Sequence, residues 1–298
     1  MSTASPAPAA SDARSEQRTV AELVSVALTG DEDDQNAWAA IEALQRRGDG
    51  PVFSAATKLL GSPSPKERSR GVDILGQLGT PNPPEALRTR CADSVLATLA
   101  TEQSAPVLHS IGVALSHLKD PRAVAALLPL IGHDDAQVRL GVVHGLLTHT
   151  DPAAVEGLIR LSGDADEDVR NWATFGLGSM TGVDSPALRD ALVHRLDDPN
   201  TETRGEALVG LAERKDERVL EPLRRALDGE EVGVLAVMAA QALGDPSLLP
   251  LLEQRRSSMA AEASYLRTVL DGAIDALKVR GETPDTRTRP GATPPRLA

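Results

Sequence analysis

Six histidines, His109, His117, His133, His144, His149 and His194, are the first residues whose type could carry chemistry. An imidazole binds metals and moves protons near neutral pH. None of the six is followed by glutamate, so there is no His-Glu dipeptide and no H-E-x-x-H metal helix. His144 and His149 stand five apart, a spacing that does not share one helix face. Carboxylates cluster at Asp164, Asp166 and Asp168, and again at Asp31, Glu32, Asp33 and Asp34, as a hard cation would require. The first cluster places Val169 and Phe175 where a calcium loop needs glycine and glutamate. The second reaches Glu42 but has Asn36 in the glycine position. Both read as solvated turns whose charge favours the next helix N-terminus. Cys91 lies in a helical stretch, residues 87–100, where a thiol ordinarily serves as a small buried hydrophobe. No G-x-S-x-G, P-loop or helix-opening G-x-G-x-x-G occurs. The expectation is a protein with no catalytic residue, no metal and no cofactor.

The elements around these residues repeat. DDAQVRLGVVHGLL (134–147), DEDVRNWATFGLG (166–178) and TETRGEALVGLA (201–212) share one register. In each, an acidic or polar turn leads to Arg139, Arg170 or Arg204. Then come Val142, Ala173 or Ala207 three residues on, a glycine six on and a leucine seven on. Those offsets lie on one face of a helix. The same register continues in weaker form from Ala37, Arg68, Leu108, Ala236 and Leu270. Before each anchor runs a second amphipathic stretch, often opened by an Asp-Pro such as Asp120-Pro121 or Asp151-Pro152, which can cap and start a helix. Each unit is therefore helix, acidic turn, helix, short loop. Neither helix can bury its stripe alone, so the units must stack.

Composition agrees with a helical stack. The 298 residues include 43 acidic and 31 basic side chains, for a net charge of -12. Aromatic residues make up 2% and there is one cysteine, which excludes an internal disulfide. An acidic chain is ill suited to nucleic acid, because phosphate binding needs a basic surface. No apolar run approaches a membrane span and no signal-peptide core is visible, so the expected location is the cytoplasm and no membrane contact is expected. Residues 1–18 read as a disordered leader, 19–278 as the repeat domain and 279–298 as a disordered tail rich in Pro and Thr.

The D-x-x-V-R and A-L-G residues resemble the HEAT repeat, in the short variety named after phycobilisome lyases. The resemblance covers roughly residues 20–278; the first, third and seventh units lack the anchor arginine. It implies an all-α, right-handed α-solenoid of about eight stacked antiparallel helix pairs. Deoxyhypusine hydroxylase is built on related repeats but holds iron through His-Glu pairs, which this chain lacks.

In such repeats the anchor arginine reaches an acidic turn of its own or the adjoining unit. Arg68, Arg139, Arg170 and Arg204 are thus expected to form a structural ladder, with Asp134, Asp135, Asp166, Asp168, Asp198 and Glu202 as receivers. Repetition favours that reading, since one small ligand would not need the same arginine in several units. The resemblance also places the second helix of each pair on the concave side. The row facing that side runs through His109, Leu140, His144, Asn171, Phe175 and Val209, with Trp172 on its border. From the third unit to the sixth it carries no charged residue, although the chain is 25% charged. Two readings stand: a groove for a partner, or residues buried between neighbouring helices. The expected function is a non-catalytic scaffold or adaptor for a protein or peptide, with a basic segment suited to the acidic body. The rivals are a bilin-lyase-like enzyme and a HEAT-like DNA glycosylase.

Overall fold

The computed structural model describes residues 18–31, 33–147, 149–229, 232–259 and 265–282. The leader up to residue 17 and the tail beyond residue 282 lie outside them. Sixteen α-helices are described, and no strand occurs among the described residues. They fall into eight pairs. The first five are α1 (Val20–Ala27) with α2 (Gln35–Arg47), α3 (Gly50–Leu60) with α4 (Pro65–Gly76), α5 (Glu85–Leu99) with α6 (Ala105–Leu118), α7 (Arg122–Leu127) with α8 (Ala136–Leu146), and α9 (Pro152–Leu161) with α10 (Glu167–Phe175). The last three are α11 (Pro186–Arg195) with α12 (Thr201–Glu213), α13 (Leu220–Asp228) with α14 (Val234–Leu243), and α15 (Leu249–Ser258) with α16 (Tyr265–Glu282).

The fold is an all-α solenoid, and its contacts divide into two compact units, Met1–Ala191 and Leu192–Ala298. In unit 1 the even-numbered helices α2, α4, α6, α8 and α10 pack each on the next, as one layer. The odd-numbered helices form the other layer. Unit 2 repeats the scheme with α12, α14 and α16 stacked in sequence.

Caps explain where the helices begin. Asp34, Asp135, Asp166 and Asn200 each accept a backbone N–H at the start of an even helix, satisfying donors with no partner inside the helix. Asp151 does the same for α9, with Pro152 at the first helical position. Leu and Val side chains supply the core; Leu44, Leu75, Leu115, Leu146 and Leu177 sit at the seventh position after five successive anchors and are fully buried or nearly so.

The two domain edges differ from expectation by a few residues. Arg18, assigned to the leader, has its carbonyl held by the Arg47 guanidinium at 2.5 Å. Thr19 and Glu22 then form a reciprocal capping box that starts α1. At the other edge α16 continues through residues 279–282, which were assigned to the tail. The next proline in the sequence, Pro284, lies beyond this end of the helix.

Candidate functional site

The anchor arginines obey one geometry. In all four, Nη1 donates to the carbonyls six and five residues earlier. Arg68 reaches Ser62 and Pro63, Arg139 reaches His133 and Asp134, Arg170 reaches Asp164 and Ala165, and Arg204 reaches Asp198 and Pro199. Each arginine thereby clasps the turn that precedes its own helix. Two of them also engage a carboxylate of the next repeat in bidentate fashion. Arg68 binds Glu102 at 2.7 and 2.9 Å, and Arg139 binds Asp164 through two contacts of 2.7 Å.

The carboxylates that Arg68 and Arg139 engage, Glu102 and Asp164, are not among the expected receivers, whereas the expected Asp198 accepts from Arg204 through its carbonyl. Asp135 and Asp166 cap helices with their side chains, and Asp134 contributes only its carbonyl. Asp164, read from the sequence as part of a solvated turn, is the partner of Arg139. The Arg68 hydrogen bonds hold the Glu102 carboxyl below its ordinary pKa, against the cost of burial. Burial is the largest single influence on Asp164 and raises it, but the hydrogen bonds from Arg139 and the Asp166 N–H outweigh it, so the net shift is down. Among the described residues, no group of three or more His, Cys, Asp or Glu is placed to hold a metal ion. Cys91 is fully buried and its thiol is pushed up to about 11, by burial first with the Arg90 charge opposing. At neutral pH this favours the thiol over the reactive thiolate.

The expected partner-binding row is mostly brought together, and it lies within unit 1. His109 on α6, His144 on α8, and Trp172 and Phe175 on α10 form a chain of rings in edge contact. The centroid separations are 5.9 Å for His109–His144, 4.8 Å for His144–Trp172 and 5.7 Å for Trp172–Phe175. These separations suit the edge-to-face packing that aromatic quadrupoles favour. Trp172 is 40% exposed, whereas His109, Leu140, His144, Asn171 and Phe175 are half-buried. The backbone of α10 passes directly into a π-turn over Gly176–Met180.

Glycine makes the close approach of α6 and α8 possible. A Cβ on Gly112 would lie 1.9 Å from the carbonyl oxygen of Gly141, and one on Gly141 would lie 2.7 Å from the Cα of His109. The two helices therefore meet backbone to backbone, and the His109 and His144 rings reach each other across the seam.

Val209 departs from the row. It is 4% exposed in unit 2, on a helix packed against α14, and offers no surface to a partner. At this position the inter-repeat packing reading holds. The offset rule misplaces it because an even helix must also bury the flank that meets the next even helix.

Electrostatics set the character of the ring chain. Burial, with smaller help from the charges of His109 and His117, drives the His144 pKa down to about 4. Its imidazole is neutral at pH 7 and acts as an aromatic surface with one donor and one acceptor. His109 Nδ1 lies 3.0 Å from the Gln137 carbonyl oxygen, which orients its ring.

Toward the N-terminal end of unit 1 the same face opens into a groove of about 680 Å³. His109 belongs to both features. Trp38 from α2, Ser69, Arg70 and Asp73 from α4, and Ser110 and Val113 from α6 line the groove, with Asp31 and Asp135 among its lining. Of this floor Arg70 alone was not legible, because it falls two residues after the anchor Arg68 and off the expected row. It is nevertheless only 4% exposed, with its guanidinium 4.8 Å over the Trp38 ring. One available signal is the three-residue spacing of Arg70 and Asp73, which places them on one helix face.

The family model for HEAT repeats matches residues 92–178, 158–244 and 185–267. Protein YibA of Escherichia coli K12 is 42% identical over 83 residues, a stretch spanning 28% of this chain and 29% of that relative. The X-ray structure of E. coli YibA overlays with a TM-score of 0.73 at 24% identity, covering 93% of this chain and 99% of that one. A chain of the structure of Kap95p with RanGDP overlays at a TM-score of 0.61 and 17% identity, covering 92% of this chain and 42% of its own. At these identities the structural likenesses speak to fold.

Proposed function

The chain belongs to the HEAT-repeat family, and from that premise we propose that it is a non-catalytic scaffold or adaptor that binds a protein or peptide along the even-numbered helices of unit 1. The observation that carries this reading is the ring chain of His109, His144, Trp172 and Phe175. It joins three helices into one face with an exposed tryptophan and no charged side chain among its members. Large aromatic side chains with partly exposed rings are favoured anchors at interfaces. Leu140 and Asn171 extend the face on α8 and α10.

The chemistry of the site supports binding over turnover. A general acid or base works best with a pKa near the operating pH. His144, at about 4, is far from that range, and Cys91 is held as a thiol. The net charge of -12 favours long-range attraction of a partner carrying a basic segment and disfavours nucleic acid. Kap95p, which shares the fold, binds RanGDP, so this architecture is compatible with protein recognition. On this reading the protein works without a cofactor, in the cytoplasm. Among the described residues no helix is long and apolar enough to cross a membrane.

The test uses the full chain as bait in its native host. Partners recovered by the wild type and lost by Trp172→Ala, while circular dichroism shows both folded, support the reading. An identical partner set for the two baits overturns it.

A further inference from the structure

The floor of the unit 1 groove holds two buried, oppositely charged side chains that only partly satisfy one another. Arg70 donates from Nη1 to Asp73 Oδ2 at 3.4 Å, a long contact, and from Nη2 to the Asp31 carbonyl at 3.1 Å. A guanidinium has five N–H groups in a fixed fork, so most of its donor capacity remains unused. The Arg70 and Asp73 side chains are 5% and 14% exposed; burial raises the Asp73 carboxyl above its ordinary pKa, and a hydrogen bond from Ser110 partly offsets that. Beside them the Ser69 hydroxyl oxygen is buried with no hydrogen-bond partner. Buried polar groups are normally paired, and each unpaired one has a cost. Trp38 covers one side of this set and remains 39% exposed.

The lining carries charges of both signs, so a simple ion of either sign meets a like charge there. A carboxylate or phosphate entering the groove meets Asp73, with Asp31 and Asp135 also in the lining; an ammonium meets Arg70 and Lys66. The complementary group is neutral and carries an acceptor and a donor side by side. We propose that the groove reads the primary amide of an asparagine or glutamine side chain on the partner. Its carbonyl oxygen accepts from the Arg70 fork, its NH2 donates to Asp73, and Ser69 takes up the remaining hydrogen-bonding capacity. The alkyl stem lies along the exposed part of Trp38. This deepens the scaffold reading and rests on it for the identity of the ligand as part of a peptide. The acidic body then steers the partner at long range, while contact selectivity in this groove is for an uncharged amide.

The probe is N-acetyl-glutamine methylamide, titrated into the full-length protein and followed by the indole N–H signals of the two tryptophans and the Arg70 Nε–H signal. The expected result is a saturable shift of Trp38 and Arg70 with Trp172 unmoved. Binding is expected to be about tenfold weaker for the corresponding glutamate, lysine and norleucine compounds, since each leaves a buried group unpaired or opposed. Ser69→Ala, which removes only the orphan hydroxyl, weakens binding of the glutamine probe without lowering thermal stability. Arg70→Lys, which keeps the charge and loses the fork, abolishes it. Equal binding of the lysine or glutamate compound overturns the proposal, as does the absence of a saturable shift at the solubility limit of the probe. Failure here with Trp172→Ala still losing its partner leaves the scaffold reading standing, so the two are separable.

Discussion

Arg139 and Asp164 meet across two consecutive repeats, with Nε and Nη2 of the arginine each donating at 2.7 Å to one oxygen of the carboxylate. Their side chains are 14% and 10% exposed. The pair is screened from water on most sides, and the same arginine clasps two carbonyls of its own turn. Removing either partner leaves the other charge buried.

Asp164→Asn is therefore expected to destabilise unit 1 by about 2–4 kcal/mol. Asp93→Asn offers the contrast. Asp93 bonds Arg122 at 2.8 Å, but both side chains are more than half exposed, and its loss is expected to cost under about 1 kcal/mol. Urea denaturation of the two variants, compared at equal m-value, checks the difference. Equal losses would show that burial does not govern this ladder.

Acid should act through the same pairs. Glu102 and Asp164 have folded pKa values below their ordinary ones. Such a carboxylate contributes stability that is complete above its unfolded pKa of about 4 and is lost as pH falls through the folded value. The wild type is expected to lose this share of its stability below about pH 4, and a variant carrying both Glu102→Gln and Asp164→Asn to show a flatter acid limb. Thermal melts from pH 5 to acid unfolding measure it.

His144 acts in a higher window. Its folded pKa of about 4 lies below the ordinary imidazole value of 6.5, and burial is the leading cause. Unfolding lets the ring take a proton at pH values where the folded protein refuses one. The contribution is full above about 6.5 and falls away down to about 4, by up to roughly 3 kcal/mol. His144→Phe keeps the ring contact with Trp172 and should remove most of that slope. An unchanged slope would assign it to His117 and His149, which burial also lowers.

Phe175→Ala and Leu177→Ala separate surface from core two residues apart. Leu177 is fully buried and its truncation is expected to cost about 2–5 kcal/mol. Phe175 is half-buried on the ring chain, and about 1–2 kcal/mol is expected from the smaller apolar area involved. Equal losses in chemical denaturation would make Phe175 ordinary packing and remove the main support for a partner face.

Gly112→Ala tests the seam between α6 and α8. The added methyl would sit 1.9 Å from a backbone oxygen, so a helix must move. A loss of about 1–3 kcal/mol is expected, together with a changed His144 ring signal in NMR spectra. A fully stable variant with an unperturbed His144 would show that the close approach is not required.

The arginine register was legible because it recurs along one chain at helix spacing. The exact partners of Arg68 and Arg139 were not, because an acidic turn offers several carboxylates and packing selects the one three residues before the next repeat's second helix: Glu102 before Ala105, Asp164 before Glu167. In hindsight the chain encodes the pairing. Where the anchor is Ala37 or Leu108, the matching residue is Ser62 or His133, and no acid is present. His109, His144 and Phe175 could be placed on one face from offsets alone, since a helix fixes angular position. Val209 could not, because whether a flank is covered depends on how closely the next helix packs. Arg70 escaped notice for the converse reason. A buried arginine is improbable from sequence, and the Trp38 ring, Asp73 and the Asp31 carbonyl beside it make the position tenable.

The anchor arginine's clasp has a consequence for how such a chain can grow or shrink. Since Nη1 holds carbonyls of the arginine's own turn, a repeat carries its turn geometry with it when duplicated or excised. Its other arm belongs to whatever follows. A cassette inserted behind the fourth repeat would need an acid three residues before its second helix, or Arg139 would face an unmatched seam. Lengthening the array by recombination is thus permissive within a cassette and selective at its downstream joint.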